Sequence, residues 1–96
     1  SVVVCESAIN CLSHYQLFGW DAGYCSIGGA ISLKQKDLLA GLFAKVNARN
    51  GLVIVGTDND PAGDQYFSTM RTLTTSTLKR HTPVGNDFNE DLCLEA

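Results

Sequence analysis

What this sequence of 96 residues withholds bounds it first. No apolar run approaches the roughly 20 residues of a membrane-spanning helix, and no signal-peptide pattern opens the chain. Positive charge is not in excess: seven bases stand against ten acids, for a net charge of −3. The basic surface with which a free-standing nucleic-acid binder grips phosphates is therefore missing. Neither G-x-G-x-x-G nor a P-loop G-x-x-x-x-G-K-[ST] occurs, which removes two common nucleotide cradles. The four cysteines, Cys5, Cys11, Cys25 and Cys93, form no C-x-x-C pair, and His14 and His81 do not complete a zinc pattern. They are expected to be reduced, buried thiols in a cytoplasmic protein, with Cys5 and Cys25 serving as small core residues. With 18% of residues charged and 45% apolar, the chain is neither disordered nor a coiled coil. No Met opens it, and it starts on the apolar run Val2-Val3-Val4-Cys5. The expectation is one small domain over 1–96, excised from a longer protein and near the lower limit for a single core.

What is present is an alternation of short apolar runs with longer helical patterns. Val2–Cys5 reads as a strand, and Ser7–Phe18 as a helix with Ala8, Cys11, Leu12, Tyr15 and Phe18 at helical spacing, closed by Gly19. Gly23–Ile27 is the second strand, stopped by Gly28-Gly29. Ser32 with Gln35 has capping-box spacing, and Leu38, Leu39, Leu42, Phe43 and Val46 form the apolar stripe of the helix that follows. Leu52–Val55 is uninterrupted and apolar, as expected of a central strand buried on both faces. Asp60-Pro61 starts a third helix running to about Leu73, Leu78–Val84 reads as a polar edge strand, and 86–92 as a short last helix. Strand–helix repeats of this length are βαβ units. The predicted fold is a small open α/β sheet, mainly parallel and four-stranded, with helices on both faces.

In such sheets ligands bind beyond the carboxyl ends of the strands. Applied here, the rule collects Glu6 after the first strand, Gly28 and Gly29 after the second, Asp58 and Asp60 after the third, and Asp87 after the fourth. Two carboxylates at i and i+2 of extended chain point the same way, so Asp58 and Asp60 are suited to one hard cation such as Mg²⁺. The structural alternative is that Asp60 only caps the helix at Pro61. Glu6 would face these acids, where like charge raises a carboxyl pKa toward a value useful for moving a proton. Asp87 with Glu90 also has capping-box spacing, so helix initiation competes with a metal role. Asp64, Glu90, Asp91 and Glu95 read as solvated helix faces. Lys79, Arg80 and His81, with Arg71, make a thin candidate patch for phosphate. Trp20 and Tyr24 could stack on bases, although packing under their loop is the favoured reading. His14 reads as surface or half-buried, with no partner visible.

These residues resemble the Toprim family. Cys5-Glu6-Ser7-Ala8-Ile9-Asn10, the pair Gly28-Gly29, Gly56-Thr57-Asp58-Asn59-Asp60-Pro61-Ala62-Gly63 and Gly85-Asn86-Asp87-Phe88-Asn89-Glu90-Asp91-Leu92 are similar to its ordered motifs, most of all in the branch found in plasmid and mobile-element primase-like and mobilization proteins. The resemblance implies a four-stranded parallel fold that binds Mg²⁺, with Mn²⁺ able to substitute. It implies Glu6 as general acid/base, Asp58 and Asp60 as metal ligands, and Asp87 assisting. Asn10 stands where the family often has Asp, and Asn86 where it usually has Lys, removing one carboxylate and one cation from the pattern. The implied activity is that of a primase/topoisomerase-type nucleotidyl transferase acting on nucleic acid. DNA would be gripped mainly by other domains of the parent protein, nucleotides are possible ligands, and no membrane is involved. The competing expectation is a catalytically degenerate module that serves as a DNA- or protein-binding scaffold.

Overall fold

The computed structural model describes residues 1–95. Four strands form one sheet: β1 (Val2–Cys5), β2 (Gly23–Ser26), β3 (Val53–Val55) and β4 (Lys79–Arg80). Every pairing is parallel and the spatial order is β2-β1-β3-β4. Each strand is followed by a helix: α1 (Ala8–Phe18), α2 (Leu33–Ala48), α3 (Pro61–Arg71) and α4 (Phe88–Glu95). This is the predicted open α/β architecture.

Strand alternation divides the core in two. Val2, Val4, Val53 and Val55 pack with Leu39 and Phe43 of α2 and Met70 of α3. Val3, Cys5 and Ile54 point to the opposite face, against Phe88 of α4 and Cys11 and Leu17 of α1. β1 is buried along its full length, which is why it tolerates no polar residue. The caps fall where the local chemistry places them. Ser7 Oγ accepts from the Asn10 N–H, Ser32 and Gln35 cap each other reciprocally, and Gly19 ends α1 in the left-handed region.

Three expectations change. The fourth strand is only Lys79–Arg80, not Leu78–Val84. Pro83 has no N–H to give a ladder, and the chain turns away there with Val84 94% exposed. The apolar spacing on α1 does not mark its inner face. Leu12, Tyr15 and Phe18 are exposed, whereas Asn10, Ser13 and His14 are buried. The cysteines are all free, but only Cys5 is buried, and Cys93 is exposed on α4.

Candidate metal centre at the carboxyl end of the sheet

The parallel arrangement brings the C-terminal ends of all four strands to one rim. The first turn beyond the strands stays tied to the sheet. The Ile27 N–H donates to Cys5 O (3.0 Å), the Gly56 N–H to Val4 O (2.8 Å) and the His81 N–H to Val55 O (2.9 Å). Gly28 and Gly29 have φ of 69° and 110°, which only glycine adopts without strain, and the Gly29 N–H closes the loop onto Glu6 O.

Glu6, Asp58, Asp60 and Asp87 all stand at this rim, as the strand-end rule requires. Glu6 Oε2 accepts from the backbone N–H of Asp58 at 2.6 Å, a charge-assisted bond joining the ends of β1 and β3. Asp58 Oδ1 accepts from Asn10 Nδ2 at 3.3 Å. Burial first, then the charges and hydrogen bond of Glu6 and the charges of Asp87 and Asp60, push the Asp58 carboxyl up to about 7. The carboxyl lifted toward neutrality is that of Asp58.

Asp60 and Asp87 also do structural work. Asp60 Oδ1 accepts from the Gly63 N–H at 2.7 Å and caps α3, and Asp87 Oδ1 accepts from the Glu90 N–H at 2.8 Å at the start of α4. Each keeps Oδ2 without a hydrogen-bond partner among the described residues. The first turn of α3 requires its glycine: a Cβ on Gly63 would collide with the backbone carbonyl of Asp58. Thr57 Oγ1, fully buried, donates to Gly63 O at 2.9 Å and closes the same loop.

Whether this rim suits a divalent ion turns on its donors. The acids offer hard carboxylate oxygens from separate strand ends, and Mg²⁺ commonly takes one or two carboxylates while keeping several waters. Among the described residues, no three His, Cys, Asp or Glu side chains are drawn together as a ready-made cage. The donor chemistry therefore fits a cation held by few protein ligands, and Asp58 and Asp60 are the candidates to hold one.

Other expected roles change. Arg80 is engaged within the protein. Its guanidinium donates to Asp58 O (2.9 Å) and Thr57 O (3.3 Å) and pairs with Asp64 (3.0 Å), so it braces the loop after β3. Arg71 lies over the Phe67 ring. Asp91 is not simply solvated, since its carboxylate accepts from the N–H groups of Val84 and Gly85. His14 is fully buried: Nδ1 meets the Tyr24 hydroxyl at 2.7 Å and Nε2 meets His81 Nδ1 at 2.8 Å. Trp20, at 37% still exposed, stacks on His81, and the Tyr24 hydroxyl is held by His14, so both side chains are engaged by the aromatic cluster around His14. Sequence reasoning missed the bracing by Arg80 and the tether by Asn10. The one available signal was that both are polar residues next to runs destined for burial.

No helix among the described residues is long and apolar enough to cross a membrane. No curated protein and no solved structure matches the chain. A family model described as Toprim-like matches residues 3–92, nearly the whole length and all four rim segments. With that match and the parallel sheet that carries its acids to one rim, the chain belongs to the Toprim-like family, whose domains generally bind a divalent metal, typically Mg²⁺, and act in nucleic-acid processing.

Proposed function

We propose that this chain is the Mg²⁺-dependent catalytic module of a primase-like or mobilization-type protein that carries out nucleotidyl or phosphodiester transfer on DNA in the cytoplasm. The observation that carries the reading is the junction of strand ends at which the Glu6 carboxylate holds the Asp58 N–H while Asp60 and Asp87 stand beside them. Asp58 and Asp60 hold the ion, with Asp87 assisting, and Mn²⁺ substitutes. A bound Mg²⁺ would supply charge stabilisation for phosphate oxygens.

The protein's own residues do the rest. Glu6 moves the proton of the attacking or departing hydroxyl, and its grip on the Asp58 N–H sets where that carboxylate stands relative to the loop. Arg80 fixes the carbonyls of Thr57 and Asp58, which holds the loop in register with β1. Tyr15, Tyr24 and Tyr66 lie on helices and strands, and Tyr24 is engaged by His14, so a tyrosine-linked intermediate would need a nucleophile from elsewhere. Net charge of −3 fits a module that relies on other domains for its grip on DNA.

The test is nucleotidyl transfer and nuclease activity with Mg²⁺, measured for the wild type, Glu6→Gln and the double variant Asp58→Asn/Asp60→Asn. Activity lost in both variants, with Mg²⁺ binding lost only in the second, supports the assigned roles. One observation favours a second reading, a degenerate module used as a DNA- or protein-binding scaffold: no three-carboxylate cage is assembled among the described residues. Absence of Mg²⁺ binding by the wild-type protein would select it.

A further inference from the structure

Asn10 is a polar residue on the inner face of α1 and only 4% exposed. Every polar atom of its side chain is directed. Oδ1 accepts from the backbone N–H of Asn89 in the first turn of α4 at 3.2 Å, and Nδ2 donates to Asp58 Oδ1 at 3.3 Å. The amide orientation is forced, because a backbone N–H can only donate and so must face the oxygen. Its own N–H is fixed by the Ser7 cap. Ser13, one turn along, donates to Ile9 O at 2.8 Å and reaches Asn89 Oδ1 at 3.4 Å, so the same buried strip also holds Asn89, one of the two partners of the amide. Three elements thus meet at one side chain: the first turn of α1, the first turn of α4 and the loop after β3.

We infer that Asn10 is a positioning residue for the metal-binding carboxylate of Asp58, an inference that rests on the function proposed above. Asn10 touches neither an ion nor a substrate. It supplies the donor that selects one orientation of the Asp58 carboxylate, while its oxygen borrows rigidity from the start of α4. An aspartate in its place would keep an acceptor for the Asn89 N–H but, when ionised, would offer Asp58 no donor and a repelling charge. The amide therefore gives this chain something the more usual carboxylate cannot: a hydrogen bond to Asp58 in its ion-binding, charged form. Partners that orient metal-binding side chains commonly change metal affinity by about 10- to 100-fold when removed.

The experiment is Mn²⁺ binding by electron paramagnetic resonance on the whole chain, comparing wild type, Asn10→Ala and Asp58→Ala. The expected result is binding in the wild type, none in Asp58→Ala, and affinity weakened about 10- to 100-fold in Asn10→Ala protein whose amide spectrum remains folded. Unchanged affinity in folded Asn10→Ala, with Asp58→Ala inactive in binding, overturns the positioning role and leaves the proposed function standing. No binding by the wild type overturns the proposed function instead. Should Asn10→Ala fail to fold, or the wild type bind no ion, the side-chain amide protons of Asn10 decide the tether. They should shift between wild type and Asp58→Ala, and an unmoved resonance overturns it.

Discussion

Two regions that share helix α1 treat buried ionisable groups in opposite ways. At the rim, burial and neighbouring carboxylates push the Asp58 carboxyl up to about 7. Less than two turns along α1, burial and the nearby His81 push His14 down to about 4. The physical cause is the same, since removal from water penalises whichever form is charged. The difference lies in what surrounds the group. His14 has a neutral partner for each ring nitrogen and aromatic rings around it, so its neutral form is fully accommodated. Asp58 faces three other acids and so retains a conflict that a divalent cation would relieve. The histidine cluster resolves its burial internally, and the rim retains charge repulsion among its acids.

The largest expected effect breaks the rim through its backbone. Gly63→Ala places a methyl group against the Asp58 carbonyl, so the loop must move, at a cost of about 3 kcal/mol or more. Urea unfolding should show a large loss of midpoint, and any folded protein should bind Mn²⁺ poorly. His14→Ala attacks the other region. It removes a fully buried ring and leaves the Tyr24 hydroxyl and His81 without a partner, costing about 2–4 kcal/mol. Mn²⁺ affinity of the protein still folded should stay near wild type, because His14 contacts none of the rim acids. A joint loss of stability and metal affinity from His14→Ala would erase the distinction between the regions.

The two groups also impose opposite pH dependences. His14 has a folded pKa below its ordinary 6.5, so its contribution to stability is complete above pH 6.5 and is lost as pH falls toward about 4. Asp58 has a folded pKa raised from 3.8 to about 7, so in the absence of divalent ions its contribution is greatest below pH 4 and is lost as pH rises through 7. The two trends oppose each other between about pH 4 and 6.5. Asp58→Asn should therefore expose a steeper loss of stability on acidification, read as urea midpoints from pH 4 to 8. The smallest effect is expected for Asp64→Ala. Asp64 is 71% exposed, and its pairing with Arg80 contributes about 0.5 kcal/mol or less.

The same contrast explains what the sequence could and could not convey. The rim was legible because strand ends are found from local pattern alone: Val2–Cys5 and Leu52–Val55 announce buried parallel strands, and whatever follows them arrives at the rim. Even Asp60 as a cap follows from the Pro61 beside it. The histidine cluster was not legible. Its central bond joins residues 67 positions apart, and nothing near His14 in sequence reveals His81. The polarity of α1 misled for a related reason. Apolar spacing places Leu12 and Tyr15 inside, yet the inner face is taken by Asn10, Ser13 and His14, each satisfied by a partner from a distant element. The fourth strand shrank because a single Pro83 ends the ladder that composition alone seemed to extend. The bracing by Arg80 was not legible because its acceptors are backbone carbonyls, which carry no residue signature.

The central claim is that the acids following β1 and β3 form one divalent-cation site. Its most direct test is Mn²⁺ titration of the ¹⁵N-labelled protein, with paramagnetic broadening of amide signals mapped residue by residue. The account predicts broadening centred on Glu6, Asp58 and Asp60 and its absence from the double variant Asp58→Ala/Asp60→Ala. Broadening confined to Glu90, Asp91 and Glu95 on α4, or none at all, would contradict it.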